Sequence, residues 1–257
     1  MMRPYLLAES HWGAVKDIPL DLVILPWGAI EAHNFHLPYG TDMYQSEALA
    51  AEAARIAHEQ GARLMVLPTL PYGVNTGQAD STLDMNLRPS TLLTILDDLV
   101  ATLDRQGYRK LLILNSHGGN DFKPILRELG LKYPKMLLLL TNWFSAVDKT
   151  AYFQEGGDHA DEMETALMLH IQPELVRPLN EAGPGKENPL RLARKHPGWV
   201  WTERRWSQAT NDTGVGDPRK ATAESGARFF KDVTRTLAEV FMEIAAADPD
   251  DLYEKSR

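Results

Sequence analysis

The chain has 257 residues, with 27 basic and 35 acidic side chains, a formal charge of −8 at pH 7, no cysteine and eight histidines. Without a thiol there is no disulfide framework, Cys-ligated zinc, iron–sulfur cluster or cysteine nucleophile, so a transition metal here has to be held by imidazole and carboxylate. The acidic balance argues against nucleic acid or an anionic membrane as a partner, since both select a basic face.

With 44% apolar and 24% charged residues, the composition is that of an ordinary globular protein, and residues 1–257 read as a single α/β domain. The first dozen residues lack the continuous apolar stretch of a signal peptide, and no run approaches the ~18 apolar residues of a membrane span. The expectation is a cytoplasmic protein.

Short apolar runs alternate with longer segments of helical period, the pattern of βα units on a mainly parallel sheet. Four runs read as strands buried on both faces: 22–26 (LVILP), 64–68 (LMVLP), 111–115 (LLILN) and 136–141 (MLLLLT). Helices are expected at about 44–60, 90–106, 121–132 and 160–171, the second with Ser90 as its cap after Pro89. Residues 180–218, rich in Gly, Pro, Trp and charge, read as long loops. A last helix at about 222–247 carries Phe229, Phe230, Val233, Leu237, Val240, Phe241 and Ile244 on one face.

In open parallel sheets the ligand site lies beyond the carboxyl ends of the strands, and the unusual residues fall there. The first strand is followed by Glu31, His33, His36 and Asp42, the third by Asn115-Ser116-His117-Gly118-Gly119-Asn120, and the fourth, after a connection, by Asp158-His159-Ala160-Asp161-Glu162-Met163-Glu164. In an extended segment Glu31 and His33 point to one side, because side chains alternate with period two. Imidazole and carboxylate are the ligands of hard or borderline divalent ions. Turn formation is the alternative reading of Asn, Asp and Gly here, and helix N-terminal charge that of Asp158 and Asp161. His11, His58, His170 and His196 read as surface or hydrogen-bonding residues. No G-x-G-x-x-G, Walker or G-x-S-x-G motif is present.

The segments Gly28-Ala29-Ile30-Glu31-Ala32-His33, His36-Leu37-Pro38, Thr41-Asp42, Asn115 to Asn120, His159-Ala160 to Glu164-Thr165, and Gly216-Asp217-Pro218 with Ala221 to Gly226 resemble the creatininase (creatinine amidohydrolase) family in order and spacing. The resemblance implies a three-layer α/β/α fold, a homo-oligomer, usually a hexamer, and a centre of two divalent ions, Zn or Mn with Fe also compatible. It implies that Glu31, Asp42 and His117 hold one ion, and that Asp42 bridges to a second held also by His33. Creatininase has a glutamate where this chain has Gly119; Glu164 is taken as its replacement, with Glu162 as fallback, since two residues apart on a helix point about 200° apart. His159 matches a family histidine beside the substrate and is the candidate general acid or base. Thr76 matches a substrate-contacting hydroxyl residue, and Trp143, Trp199, Trp201 and Trp206 are candidate pocket walls.

The function expected is hydrolysis of a non-peptide C–N bond, in a cyclic amide or formamide of a small molecule, by a metal-bound hydroxide, with His159 delivering a proton to nitrogen. The alternatives are a peptide-trimming or maturation hydrolase in a cofactor pathway, and a non-catalytic metal- or ligand-binding protein.

Overall fold

The computed structural model describes residues 3–192 and 199–254; His196 lies outside them. Four strands, β1 (Leu22–Trp27), β2 (Leu64–Val66), β3 (Lys110–Asn115) and β4 (Leu137–Asn142), form one sheet in the order β2-β1-β3-β4. Every pairing is parallel, with Ile24 beside both Val66 and Leu112 and Leu112 beside Leu139.

The apolar runs are explained by two cores, one on each face of this sheet. Leu22, Ile24, Leu112 and Leu114 pack against α1 (Thr41–Glu59), α4 (Glu162–Ile171) and α5 (Ala223–Ala246). Their neighbours Val23, Leu25, Leu111 and Ile113 point the other way, onto α2 (Pro89–Arg105) and α3 (Phe122–Lys132). Period-two alternation on a sheet covered on both sides therefore demands an apolar residue at every position. The result is a three-layer α/β/α arrangement, and all four strand ends point their carboxyl termini to one rim.

Three local expectations differ from the structure. Ser90 is not the cap of α2: Arg88 holds that place without a side-chain cap, Pro89 is the first helical residue, and the Ser90 carbonyl accepts from Thr94 Oγ1 at 2.9 Å. Proline at the first helical position leaves no amide to satisfy there, and its fixed φ suits the turn. β4, expected to be buried on both faces, is half-buried throughout: it is an edge strand left uncovered on its outer side, whereas β2 at the other edge is buried, with Leu6 bridged to Val66 beside it. α1 begins at Thr41 rather than about 44, which brings Asp42 into its first turn.

Candidate metal centre

The centre lies at the carboxyl-terminal rim of the sheet, where the segment after β1, the first turn of α1, the loop after β3 and the start of α4 meet. Gly28 permits the closest of these approaches: a Cβ there would sit 2.8 Å from Met43 N, so only glycine lets the end of β1 lie against the α1 terminus that carries Asp42. A carboxylate in a helix's first turn is favoured by the helix dipole.

Six titratable side chains converge there, each less than a tenth exposed: Glu31, His33, Asp42, His117, His159 and Glu164. Their ligand-type atoms form three groups that share members: Glu31, Asp42 and His117; His33, Asp42 and Glu164; and Glu31, His33 and His159. Asp42 divides its oxygens, with Oδ2 at 3.1 Å from His117 Nδ1 and Oδ1 at 3.4 Å from His33 Nε2. Glu31 Oε1 lies 2.9 Å from His117 Nδ1, 3.6 Å from His159 Nδ1 and 3.9 Å from His33 Nε2.

Each of the three imidazoles is oriented by a backbone carbonyl behind it. Nδ1 of His33 donates to Glu31 O at 3.0 Å, Nε2 of His117 to Val74 O at 3.0 Å, and Nε2 of His159 to Ala32 O at 2.8 Å. Because a carbonyl only accepts, these nitrogens carry the hydrogens and the opposite nitrogens face the carboxylates. His33 Nε2 and Asp42 Oδ2 have no ordinary hydrogen-bond partner within the protein, as is expected of atoms shaped to hold an ion.

The electrostatics follow from this crowding. Burial alone would raise Asp42 and Glu31, but the neighbouring His117, with His33 for Asp42 and His159 for Glu31, holds both carboxyls below their ordinary values. Burial opposes charge on His33, yet Asp42 wins and lifts it to about 10; His117 is likewise raised well above its usual range by Glu31 against burial. Glu164 is pushed up to about 8 by burial, which the attraction of His33 only partly offsets. His159 moves the other way, because burial outweighs the pull of Glu31. Protons on His33 and His117 thus balance Glu31 and Asp42 in the metal-free protein, and a cation binding there displaces them.

The two candidate glutamates separate cleanly. Glu164 Oε2 accepts from Ala160 N at 2.5 Å and stands 3.9 Å from His33 Nε2. Glu162, equally buried, turns away and accepts from the backbone amides of Gln154 and Glu155 at 2.8 and 2.7 Å, so it ties down a turn. Gly119 has no room for a side chain, since its Cβ would collide with the Val74 carbonyl and the His117 ring.

The substrate-side expectations fare differently. Trp143 is a core residue, 1% exposed, whose Nε1 donates to Ser116 Oγ at 2.7 Å and so supports the loop after β3 from below. Trp199 is 73% exposed and does not line the cleft above the centre. Thr76 is exposed and also lies outside the cleft lining; two residues on, Gln78 is the buried one, and its Nε2 donates to Glu31 Oε2 at 2.7 Å. A glutamine in a turn carried no signal that could have singled it out. Trp201 and Trp206 both line the cleft, Trp201 from an exposed position and Trp206 against the centre, edge-on to the His159 ring at 4.6 Å and stacked beneath the Arg204 guanidinium at 4.8 Å. Arg204 in turn forks onto Asp158. The cleft has a volume of about 1790 Å³.

The model of one family, described as creatininase (creatinine amidohydrolase), matches residues 8–241. The chain belongs to the creatininase family. As a creatininase-family protein it is a hydrolase acting on C–N bonds. A curated relative, the mycofactocin precursor peptide peptidase of Mycobacterium tuberculosis, is 29% identical over 220 residues, 81% of this chain and 79% of that one. The creatinine amidohydrolase of Pseudomonas putida is 29% identical over 178 residues, 60% of this chain and 66% of that one. Among solved structures, a candidate creatinine amidohydrolase from Bacteroides fragilis superposes with a TM-score of 0.91 at 44% identity, covering 99% of this chain and 100% of that one.

Proposed function

We propose that this creatininase-family protein is a two-metal amidohydrolase that opens a non-peptide C–N bond of a small molecule, a cyclic amide or a formamide. The observation that carries the reading is the set of three imidazoles, each tied through one nitrogen to a carbonyl and turned through the other toward carboxylates. In this reading Glu31, Asp42 and His117 hold one divalent ion, and Asp42, His33 and Glu164 the other. Histidine with carboxylate suits Zn, Mn and Fe alike. Divalent ions held by these residues would supply Lewis-acid chemistry, activation of a water and polarisation of a carbonyl.

The protein's own groups do the rest. Gln78 holds Glu31 Oε2 and so leaves Oε1 facing the imidazoles. Nδ1 of His159, neutral and beside Glu31, takes up the proton released at the centre and returns it to the leaving nitrogen. Trp206 shields the other side of that ring from water. The protein is read as a cytoplasmic homo-oligomer, hexameric by the family resemblance.

A second reading is favoured by the cleft. Its volume exceeds the roughly 300–1,000 Å³ of typical small-molecule sites, which would admit an extended chain, and a peptidase stands among the relatives. Elemental analysis of protein purified without chelator, followed by a screen of lactams, formamides and short peptides with Zn or Mn added, separates the readings. Turnover of a lactam or formamide supports the first; release of a terminal residue from peptides alone replaces it with the second; less than about one ion per chain, with none bound on titration, removes both.

A further inference from the structure

One more carboxylate belongs to this region and takes no part in the chemistry above. Asp84 lies in the segment that leads from Gln78 into α2. Its neighbour Met85 donates from its backbone N to Ile30 O at 3.1 Å, which pins this segment beside the residue before Glu31. Asn75 closes the same segment, donating through Nδ2 to Ile30 O at 3.1 Å, while its backbone N donates to Asn86 Oδ1 at 2.8 Å.

The local arrangement is inverted relative to what water alone would select. Leu83 is 72% exposed and sits at φ 60°, a conformation disfavoured for a residue with a Cβ, while the acid beside it turns inward. Both Asp84 oxygens are shielded from solvent without an ordinary hydrogen bond, as are Oδ1 of Asn75 and Oε1 of Gln78, two side chains only 4% and 1% exposed. Four acceptor oxygens from one ten-residue segment thus lack donors beside Glu31. Strain of this kind persists where the surroundings over-determine it.

We propose that Asp84 is an outer-sphere carboxylate of the metal centre, supplying, behind Glu31 and together with the Asn75 and Gln78 amide oxygens, the negative charge that two divalent ions require. This rests on the two-metal reading. With Glu31, Asp42 and Glu164 as its charged ligands and neutral imidazoles, a pair of divalent ions keeps one uncompensated positive charge, and Asp84 supplies the fourth negative charge. Without cations, both oxygens of the same carboxyl are shut away from water with no ordinary hydrogen bond, which makes its charge costly. Asp84 is therefore a liability to the metal-free fold and an asset to the loaded one. Residues outside the first coordination shell commonly change metal affinity by about 10–100-fold.

The test is Asp84→Asn, isosteric and uncharged, with Asp84→Ser as a second variant should the amide pack poorly. Chelator-treated protein is titrated with Mn²⁺ and with Zn²⁺ against a competing indicator, and its thermal midpoint is measured at pH 8 with and without metal. The expected result is about tenfold weaker binding of at least one ion, together with a metal-free midpoint higher than that of the unsubstituted protein. Unchanged affinity in both variants, or a lower metal-free midpoint in both, overturns the inference. If the unsubstituted protein itself takes up no ion, the two-metal reading fails first and this inference falls with it.

Discussion

The interior holds two kinds of buried region a few residues apart. Ile24 and Leu114 lie in the core between the sheet and α1, α4 and α5, with no exposure; Glu31 and Asp42, just beyond the strand ends, are 2% and 1% exposed. In the first region every buried atom gains from leaving water, roughly 1.5–3 kcal/mol for each large apolar side chain. In the second, burial works against every charge and is answered only by mutual pairing, which still leaves His33 Nε2, Asp42 Oδ2 and both Asp84 oxygens without ordinary partners. Equal depth therefore means opposite things. The core is stable as built, whereas the rim is built to be completed by something else.

The sharpest way to break this comparison is at the shared carboxylate. Asp42→Ala is expected to abolish occupancy of both ion sites and to lower activity by about 10³-fold or more, the order lost with one key stabilising group at a reacting centre; elemental analysis and the assay check it. Retention of two ions would remove Asp42 from the bridging place. In the core the expected loss is of stability alone: Phe229→Ala should cost about 3–5 kcal/mol in denaturant unfolding with metal stoichiometry unchanged.

Metal removal and pH sharpen the contrast further. His33 has its pKa raised from 6.5 to about 10, so its stabilising contribution is fully present below pH 6.5 and is lost as pH rises through 10. Glu164, raised from 4.5 to about 8, binds its proton more tightly folded than unfolded, which subtracts stability between those values. The metal-free protein should therefore melt at falling temperature from pH 6 to 9. With ions at about 100 times their dissociation constant, some 2.7 kcal/mol is added for each occupied site, a rise of roughly 5–10 °C per ion, and the fall with pH should flatten. Proton release on metal binding, read in buffers of different ionisation heat, checks the same exchange.

The smallest effects distinguish neighbouring residues. Glu164→Gln should lose the second ion, while Glu162→Ala should keep both and cost about 1–3 kcal/mol, since it strips an acceptor from two backbone amides. Thr76→Ala, at an exposed position, should stay within about 0.5 kcal/mol and leave activity within about twofold.

Much of this was legible in the linear chain. Strands that face two cores are apolar at every position, so β1 and β3 announce themselves, and ligand-type residues clustered after strands mark the rim because parallel strands deliver their carboxyl ends to one side. Glu31, His33, Asp42 and His117 could be named on that ground alone. Trp143 could not be told from a pocket wall, because the chemistry that packs a core also lines a cleft, and only the path of the loop after β4 sends it inward. Ser90 misled because a serine beside a proline fits either a cap or a first turn, and the backbone of Arg88 decides between them.

The sequence by itself determined the kinds of group available: no thiol, four histidines and six carboxylates in the segments that follow strands, and an alternation that demands a covered parallel sheet. Tertiary structure alone decided which of them meet. Glu162 and Glu164 are chemically identical and point about 200° apart on α4, so the rotation of that helix against α1 and α5 selects the one that faces His33. The same holds for Gln78 and Asp84, whose places beside Glu31 depend on how their segment folds back on Ile30, a contact between residues 55 positions apart that no local spacing encodes.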